Sequence, residues 1–226
     1  TLANPQTGAK MTDHFAAKRS QGHGTEGRVI HWAGAYEALF GWFLRRTHGT
    51  VVNLAAPIEG ERVLDVCCGT GSLAITLKAS LGAGGSVHGI DASPEMINMS
   101  QHKALKAGIE VDFRVGLAQA LPFPDKTFDL VVSQLAIHHL PGDLKVRAFG
   151  EMYRVLKPKG RCVIVDFEPP KAIPWRYLAR LFHGHVMMQT DVRHYREMME
   201  GVGFSEIEVG QTRHRLLAFI RGRKGT

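Results

Sequence analysis

The sequence predicts an α/β fold, a mostly parallel sheet with helices on both faces, and three observations predict it. Apolar runs alternate with helical patterns from residue 61 to about residue 167, as repeated strand–helix–strand units require. Val63 to Gly71, VLDVCCGTG, reads as a buried strand that turns through a glycine-rich loop into a helix. The 226 residues, 44% hydrophobic and 22% charged, suffice for one domain with a full core and argue against disorder.

The first strand is Arg62 to Cys67, and the helix that follows it runs from Ser72 to Ser80. Ser86 to Asp91, SVHGID, is the second strand. Ser93 then caps a helix with Pro94 at its first position, reaching about Ala107. Val111 to Leu117 and Phe128 to Gln134 give the third and fourth strands. A helix from about Asp143 to Leu156 stops before Pro158, and Arg161 to Phe167 is the fifth strand. Residues 168–190 are too long for a simple connection and read as a lid or substrate insert. Asp191 caps a helix to about Gly201, and Phe204 to Val209 and Arg213 to Ile220 close the sheet. Ahead of the sheet, residues 29–46 form an amphipathic cap helix with Trp32, Tyr36, Leu39 and Phe43 on one face. Residues 1–28 read as a mobile polar arm without the apolar core of a signal peptide, and the missing initiator Met suggests processing or trimming.

The glycine-rich loop and the helix after it make a site for an anionic group, because free N–H groups and the positive helix end face the loop. A dinucleotide pyrophosphate or the carboxylate of S-adenosylmethionine would fit. Gly69, Gly71 and Ala74, with Asp91 about twenty residues on, even satisfy a loose dinucleotide fingerprint. Asp65 at the loop's mouth decides between them. A carboxylate repels a pyrophosphate and attracts the ammonium and sulfonium of S-adenosylmethionine.

The net charge of +7 and pI near 9.5 are uneven, with Arg193, Arg196, Arg213, Arg215, Arg221, Arg223 and Lys224 crowding the C-terminal part. No aromatic residues interleave with them as a nucleic-acid stacking platform requires, so nucleic acid is not an expected partner. Cys67, Cys68 and Cys162 show no metal or disulfide spacing, which favours a reducing cytoplasm and no metal site. No apolar run reaches the length of a spanning helix. Trp175, Leu178, Phe182 and Val186 form a stripe beside Lys171, Arg176 and Arg180, which suits either peripheral contact with a membrane surface or closure of a pocket.

Taken together, VLDVCCGTG, GIDASPEM, GLAQALPFPDKTFDLVVSQLAIHHL and MYRVLKPKGRCVIVDF resemble the class I S-adenosylmethionine-dependent methyltransferases. The group they are most similar to serves ubiquinone and menaquinone biosynthesis. The resemblance covers about residues 29–224 and implies a single-domain Rossmann-like sheet of seven strands, ordered 3-2-1-4-5-7-6, with the seventh antiparallel. It also implies S-adenosylmethionine as cofactor and S-adenosylhomocysteine as product. By position, Asp65, Gly69, Thr70 and Gly71 match the motif that cradles the methionine part, with Cys67 where the family has its first glycine. A small residue is tolerated there provided the backbone does not need positive φ. Asp91 matches the acid that accepts the ribose hydroxyls, with Ala92 beside it and Met96 against the adenine. Leu117 stands where the family commonly has an acid for the adenine amino group, leaving that contact to backbone around Leu117 and Ala118. Ser133 and Gln134 would lie under the sulfonium, and Tyr36 would close over the pocket.

His138 and His139 follow the fourth strand and are the candidates to take a proton from the acceptor, with Asp166 as the alternative. The expected reaction is methyl transfer to a small, partly apolar acceptor, aromatic, quinone-like or lipid-like. The competing readings are an NAD(P)-dependent oxidoreductase and a non-catalytic S-adenosylmethionine-binding domain. Fold and cofactor site do not fix whether carbon, nitrogen, oxygen or sulfur is methylated.

Overall fold

A computed structural model of the chain describes residues 46–168 and 192–226. The residues proposed as arm, cap helix up to residue 45 and most of the insert, including Tyr36, lie outside them. The described elements are a helix over 46–55 (α1), β1 (Arg62–Val66), α2 (Ser72–Leu81), β2 (Ser86–Asp91), α3 (Pro94–Ala107), β3 (Asp112–Val115) and β4 (Phe128–Gln134). A 3-10 turn at Ile137–His139, α4 (Gly142–Val155), β5 (Leu156–Phe167), α5 (His194–Gly201), β6 (Phe204–Gln211) and β7 (Leu217–Lys224) complete them.

The seven strands form one sheet in the order β3-β2-β1-β4-β5-β7-β6. The pairings β1 with β2, β1 with β4, β2 with β3 and β4 with β5 are parallel, and β7 runs antiparallel to both β5 and β6. This is the topology the resemblance implied.

Alternating strand residues feed two cores. Val63, Leu130, Val132, Val163 and Val165 pack with Leu73, Leu77 and Ile97 under α2 and α3, joined by Val51 and Ala55 of α1. Leu64, Val66, Val131 and Ile164 pack with Phe149, Met152, Tyr195 and Met199 under α4 and α5. Because both faces are covered, the central strands read as continuous apolar runs rather than alternating ones.

Strand order reverses between β1 and β4, so the loops leaving these strands diverge and open a crevice at their carboxyl ends. Two non-glycine residues flank that crevice with left-handed backbone, Cys67 after β1 at φ +59° and Leu135 after β4 at φ +53°. Such residues carry about 1–3 kcal/mol of strain and concentrate at functional sites.

Candidate functional site at the carboxyl ends of β1, β2, β4 and β5

The loop after β1 is a run of left-handed turns, with Cys67, Gly69 and Gly71 all at positive φ. Gly71 could carry no side chain, since a Cβ there would lie 2.6 Å from both Phe113 and Ser100. A Cβ on Gly69 would meet nothing within 4 Å among the described residues. The provision attached to Cys67 in the sequence therefore fails: its backbone does need positive φ, and a cysteine is held there under strain. From α3, the Lys103 ammonium donates to Thr70 Oγ1 at 2.9 Å and Ser72 Oγ at 2.7 Å, tying down the outer side of the loop.

Gly71 gives α2 no side-chain cap. Asp65, fully buried near the end of β1, takes the Ala74 backbone N–H instead, while its Oδ2 has no hydrogen-bond partner among the described residues. Burial pushes the Asp65 carboxyl well above the usual carboxylate range, and the nearby Asp91 charge adds to the shift.

Asp91, at the end of β2, fastens two loops together. Its Oδ2 accepts the Gly69 N–H and its Oδ1 the Ser93 N–H, both at 2.9 Å. Burial raises its pKa, partly offset by the backbone N–H groups of Ser93, Gly69 and Ala92. Ser93 caps α3 by accepting the Met96 N–H, and Met96 is buried on the helix's inner face. At the next strand end Gly116 donates to the Asp91 carbonyl at 3.0 Å, bringing half-buried Leu117 and buried Ala118 to the same rim. Leu117 offers an adenine amino group no side-chain acceptor.

At β4, Ser133 is fully buried and its hydroxyl donates to the Val66 carbonyl at 2.8 Å, which fixes the strand end from which the Cys67 turn departs. Gln134 donates from its side-chain amide to the Thr47 hydroxyl on α1. The 3-10 turn then presents the two histidines unequally. His138 is buried and paired with the equally buried Asp166 of β5, whereas His139 is part-exposed. Asp65, Asp91 and Asp166 all act on Cys67, whose thiol burial and these three charges push far up and keep protonated.

Three carboxylates converging on one turn, one with an orphaned oxygen, suit a cation and oppose a pyrophosphate. The donor set therefore fits S-adenosylmethionine. Among the described residues no group of three or more His, Cys, Asp or Glu side chains could hold a metal ion.

Residues 63–160 match the family described as a methyltransferase domain. Over that stretch the chain is similar to the methyltransferase domains. Over 130 residues the chain is 36% identical to a demethylmenaquinone methyltransferase of Anoxybacillus flavithermus, covering 57% of the chain and 54% of that relative. A demethylmenaquinone methyltransferase of Thermus thermophilus is 38% identical over 136 residues, 60% of each chain. The aligned part is thus little more than half of these relatives. Among solved structures, an S-adenosylmethionine-dependent methyltransferase from Aquifex aeolicus superposes with a TM-score of 0.66 at 22% identity, over 78% of this chain and 88% of that one. The [4+2]-cyclase SpnF superposes with a TM-score of 0.65 at 21% identity, over 80% of each chain. A fold shared with a cyclase does not by itself fix the reaction.

Sequence reasoning missed Lys103, Thr47, Tyr195 and the pairing of His138 with Asp166. Only Asp166 left a signal, a carboxylate closing the apolar run of β5.

Proposed function

We propose that this protein transfers the methyl group of S-adenosylmethionine to a small, partly apolar acceptor of the quinol kind. The observation that carries the reading is Asp65, a buried carboxylate with an unpartnered oxygen at the glycine-rich loop. Its charge and its vacant hydrogen-bonding capacity call for the cofactor's ammonium. Gly69, Thr70 and Gly71 leave room for the methionine part beside them. Asp91 binds the ribose with the lone pairs that its backbone partners leave over, Ala92 and Met96 border the adenine, and backbone at Leu117 and Ala118 meets the adenine edge. Ser133 and Gln134 form the floor beneath the sulfonium, and Tyr36 covers the pocket.

When bound, the cofactor supplies an electrophilic methyl group on a sulfonium. The protein's residues then have two tasks: holding the acceptor in line away from water, and removing one proton. For a quinol a carbon–methyl bond forms as the sulfur–methyl bond breaks, and the quinol loses one proton overall. The histidine pair after β4 supplies the proton acceptor. The demethylmenaquinone methyltransferases to which the chain is similar support an acceptor of this kind.

An acceptor with a lipid tail is met at a membrane surface, so peripheral docking from the cytoplasm belongs to the proposal. Arg213, Arg215 and Leu216 are exposed in the turn between β6 and β7. The Leu216 carbonyl accepts the Glu168 N–H beyond the end of β5, so this turn lies on the same rim as the site. No helix among the described residues is long and apolar enough to cross a membrane.

Isothermal titration separates this reading from its rivals. S-adenosylmethionine should bind and NAD should not, and label from methyl-labelled cofactor should pass to demethylmenaquinol. Binding of NAD alone would establish the oxidoreductase reading, and binding of S-adenosylmethionine without transfer to any quinol, phenol, amine or thiol would establish a non-catalytic domain.

A further inference from the structure

His138 and His139 are adjacent in sequence but not equivalent in the fold. His138 is 3% exposed, too enclosed to touch an acceptor, while His139 is part-exposed. The enclosure is built from several sides. Asp166 Oδ1 lies 2.6 Å from the His138 ring Nδ1, and Asp166 Oδ2 accepts the backbone N–H of the same residue at 3.0 Å. One carboxylate thus grips both the ring and the main chain of residue 138. The Tyr195 hydroxyl, from α5, donates to Asp166 Oδ2 at 3.2 Å, and the Phe167 N–H to Oδ1 at 2.8 Å. The Phe167 ring stands edge-on to His138 with centroids 5.2 Å apart. The His139 ring rests on the His138 ring at 3.9 Å between centroids, tilted by 43°.

We propose that Asp166, acting through His138, is a positioning residue that sets the His139 imidazole to receive the acceptor's proton. The inference rests on the methyl-transfer reading above and deepens it by dividing the histidine pair into a buried support and a part-exposed base. A carboxylate holding the Nδ1 proton of His138 fixes that ring's orientation, as outer partners orient working imidazoles elsewhere. The stacked ring of His139 then has one preferred placement, so less conformational freedom is lost when the acceptor arrives. The strained Leu135 aims the turn, and its backbone N–H is held by the Val165 carbonyl of β5 at 2.8 Å. Among the described residues, the charged and titratable groups around this cluster include Cys67, on which the Asp166 charge acts, Tyr195 and, from α4, Lys145, whose ammonium lies 5.6 Å from the Tyr195 ring centre.

The test uses the full chain with S-adenosylmethionine and demethylmenaquinol. Replacing His139 with Gln should lower kcat about a hundredfold, the usual scale for a lost general base. Asp166→Asn, which keeps the side chain's shape, should lower kcat at least tenfold while acceptor KM and cofactor affinity stay within threefold. The double variant should be no slower than His139→Gln alone, because both substitutions disable one function. His138→Gln and Tyr195→Phe carry the same double-variant comparison if Asp166→Asn does not fold. The His139 ring signal in NMR should be single and sharp in the wild type and broadened in Asp166→Asn, a readout that needs no activity. Unchanged kcat and ring signal in folded Asp166 and His138 variants, or losses that multiply with His139→Gln, would overturn the proposal. If the wild type fails to bind S-adenosylmethionine in titration, the methyl-transfer reading fails, and the NMR comparison still decides whether Asp166 positions His139.

Discussion

Asp65 and Asp166 are both fully buried carboxylates at the carboxyl end of one sheet, on β1 and β5 with only β4 between them. Their surroundings are opposite. The two oxygens of Asp166 hold four donors, two from His138 and one each from Tyr195 and Phe167. Asp65 has an oxygen with no partner and a neighbouring negative charge in Asp91. A saturated buried carboxylate organises the protein around it, whereas an unsaturated one weakens the protein until a cationic ligand arrives. On the proposed function, the contrast divides the crevice into a cofactor side, between β1 and β2, and an acceptor side, between β4 and β5.

The largest expected effect tests the saturated member. Asp166→Ala leaves the His138 ring, the Tyr195 hydroxyl and two backbone N–H groups without their acceptor, and should lower unfolding free energy by about 3 kcal/mol in urea denaturation. A loss below 1 kcal/mol would mean that water replaces the carboxylate and that the cluster does not organise the β5 end. On the cofactor side, Asp91→Ala should weaken S-adenosylmethionine binding by about 1.5–3 kcal/mol, the scale of hydrogen bonds to a charged group. Unchanged affinity in the folded variant would remove Asp91 from the site.

Asp65→Asn should move stability the other way. Removing a buried charge that lacks a partner should stabilise the ligand-free protein by about 1–2 kcal/mol at pH 7. The sign follows from proton linkage: with its pKa raised on folding, Asp65 holds its proton longer in the folded state than in the unfolded one. Its contribution is therefore best below the ordinary carboxylate pKa and declines as pH climbs to the raised value. The wild-type-minus-variant difference should follow that slope, which cancels the opposite trend from Asp112, Asp129 and Glu151, whose partners lower their pKa values. A flat difference from pH 4 to 8 would show that Asp65 titrates normally. The smallest effect belongs to the strained turn: Cys67→Gly should raise stability by about 1 kcal/mol with cofactor affinity kept.

The two sides also differed in how far the sequence revealed them. The elements around Asp91 were legible to the residue, β2 as Ser86–Asp91 and α3 as Pro94–Ala107, because a cap, a proline and a glycine punctuate continuous apolar runs, whereas around Asp65 β1 ends at Val66 rather than Cys67 and α2 at Leu81 rather than Ser80. The charge of Asp65 was enough to choose between ligand classes. On the other side, β4 was placed correctly at Phe128–Gln134, but Asp166 read only as a rival base. Its pairing with His138, 28 residues away, exists only once β4 and β5 lie side by side. β5 begins at Leu156 rather than Arg161, since Leu156 pairs with Phe128 across a bulge despite Pro158. β7 begins at Leu217 rather than Arg213, because the Thr212 hydroxyl accepts the His214 N–H and closes a turn there. The helix over 46–55 was missed because THGTVV has weak helix propensity, and burial of Val51 and Ala55 holds it.

The central claim, that the unpartnered Asp65 carboxylate awaits the cation of S-adenosylmethionine, is tested most directly by calorimetric titration of the wild type and Asp65→Asn with that cofactor at pH 7. The account predicts saturable binding to the wild type, weakened at least tenfold in a variant that is itself more stable to denaturation. Equal affinity in the two proteins would contradict it.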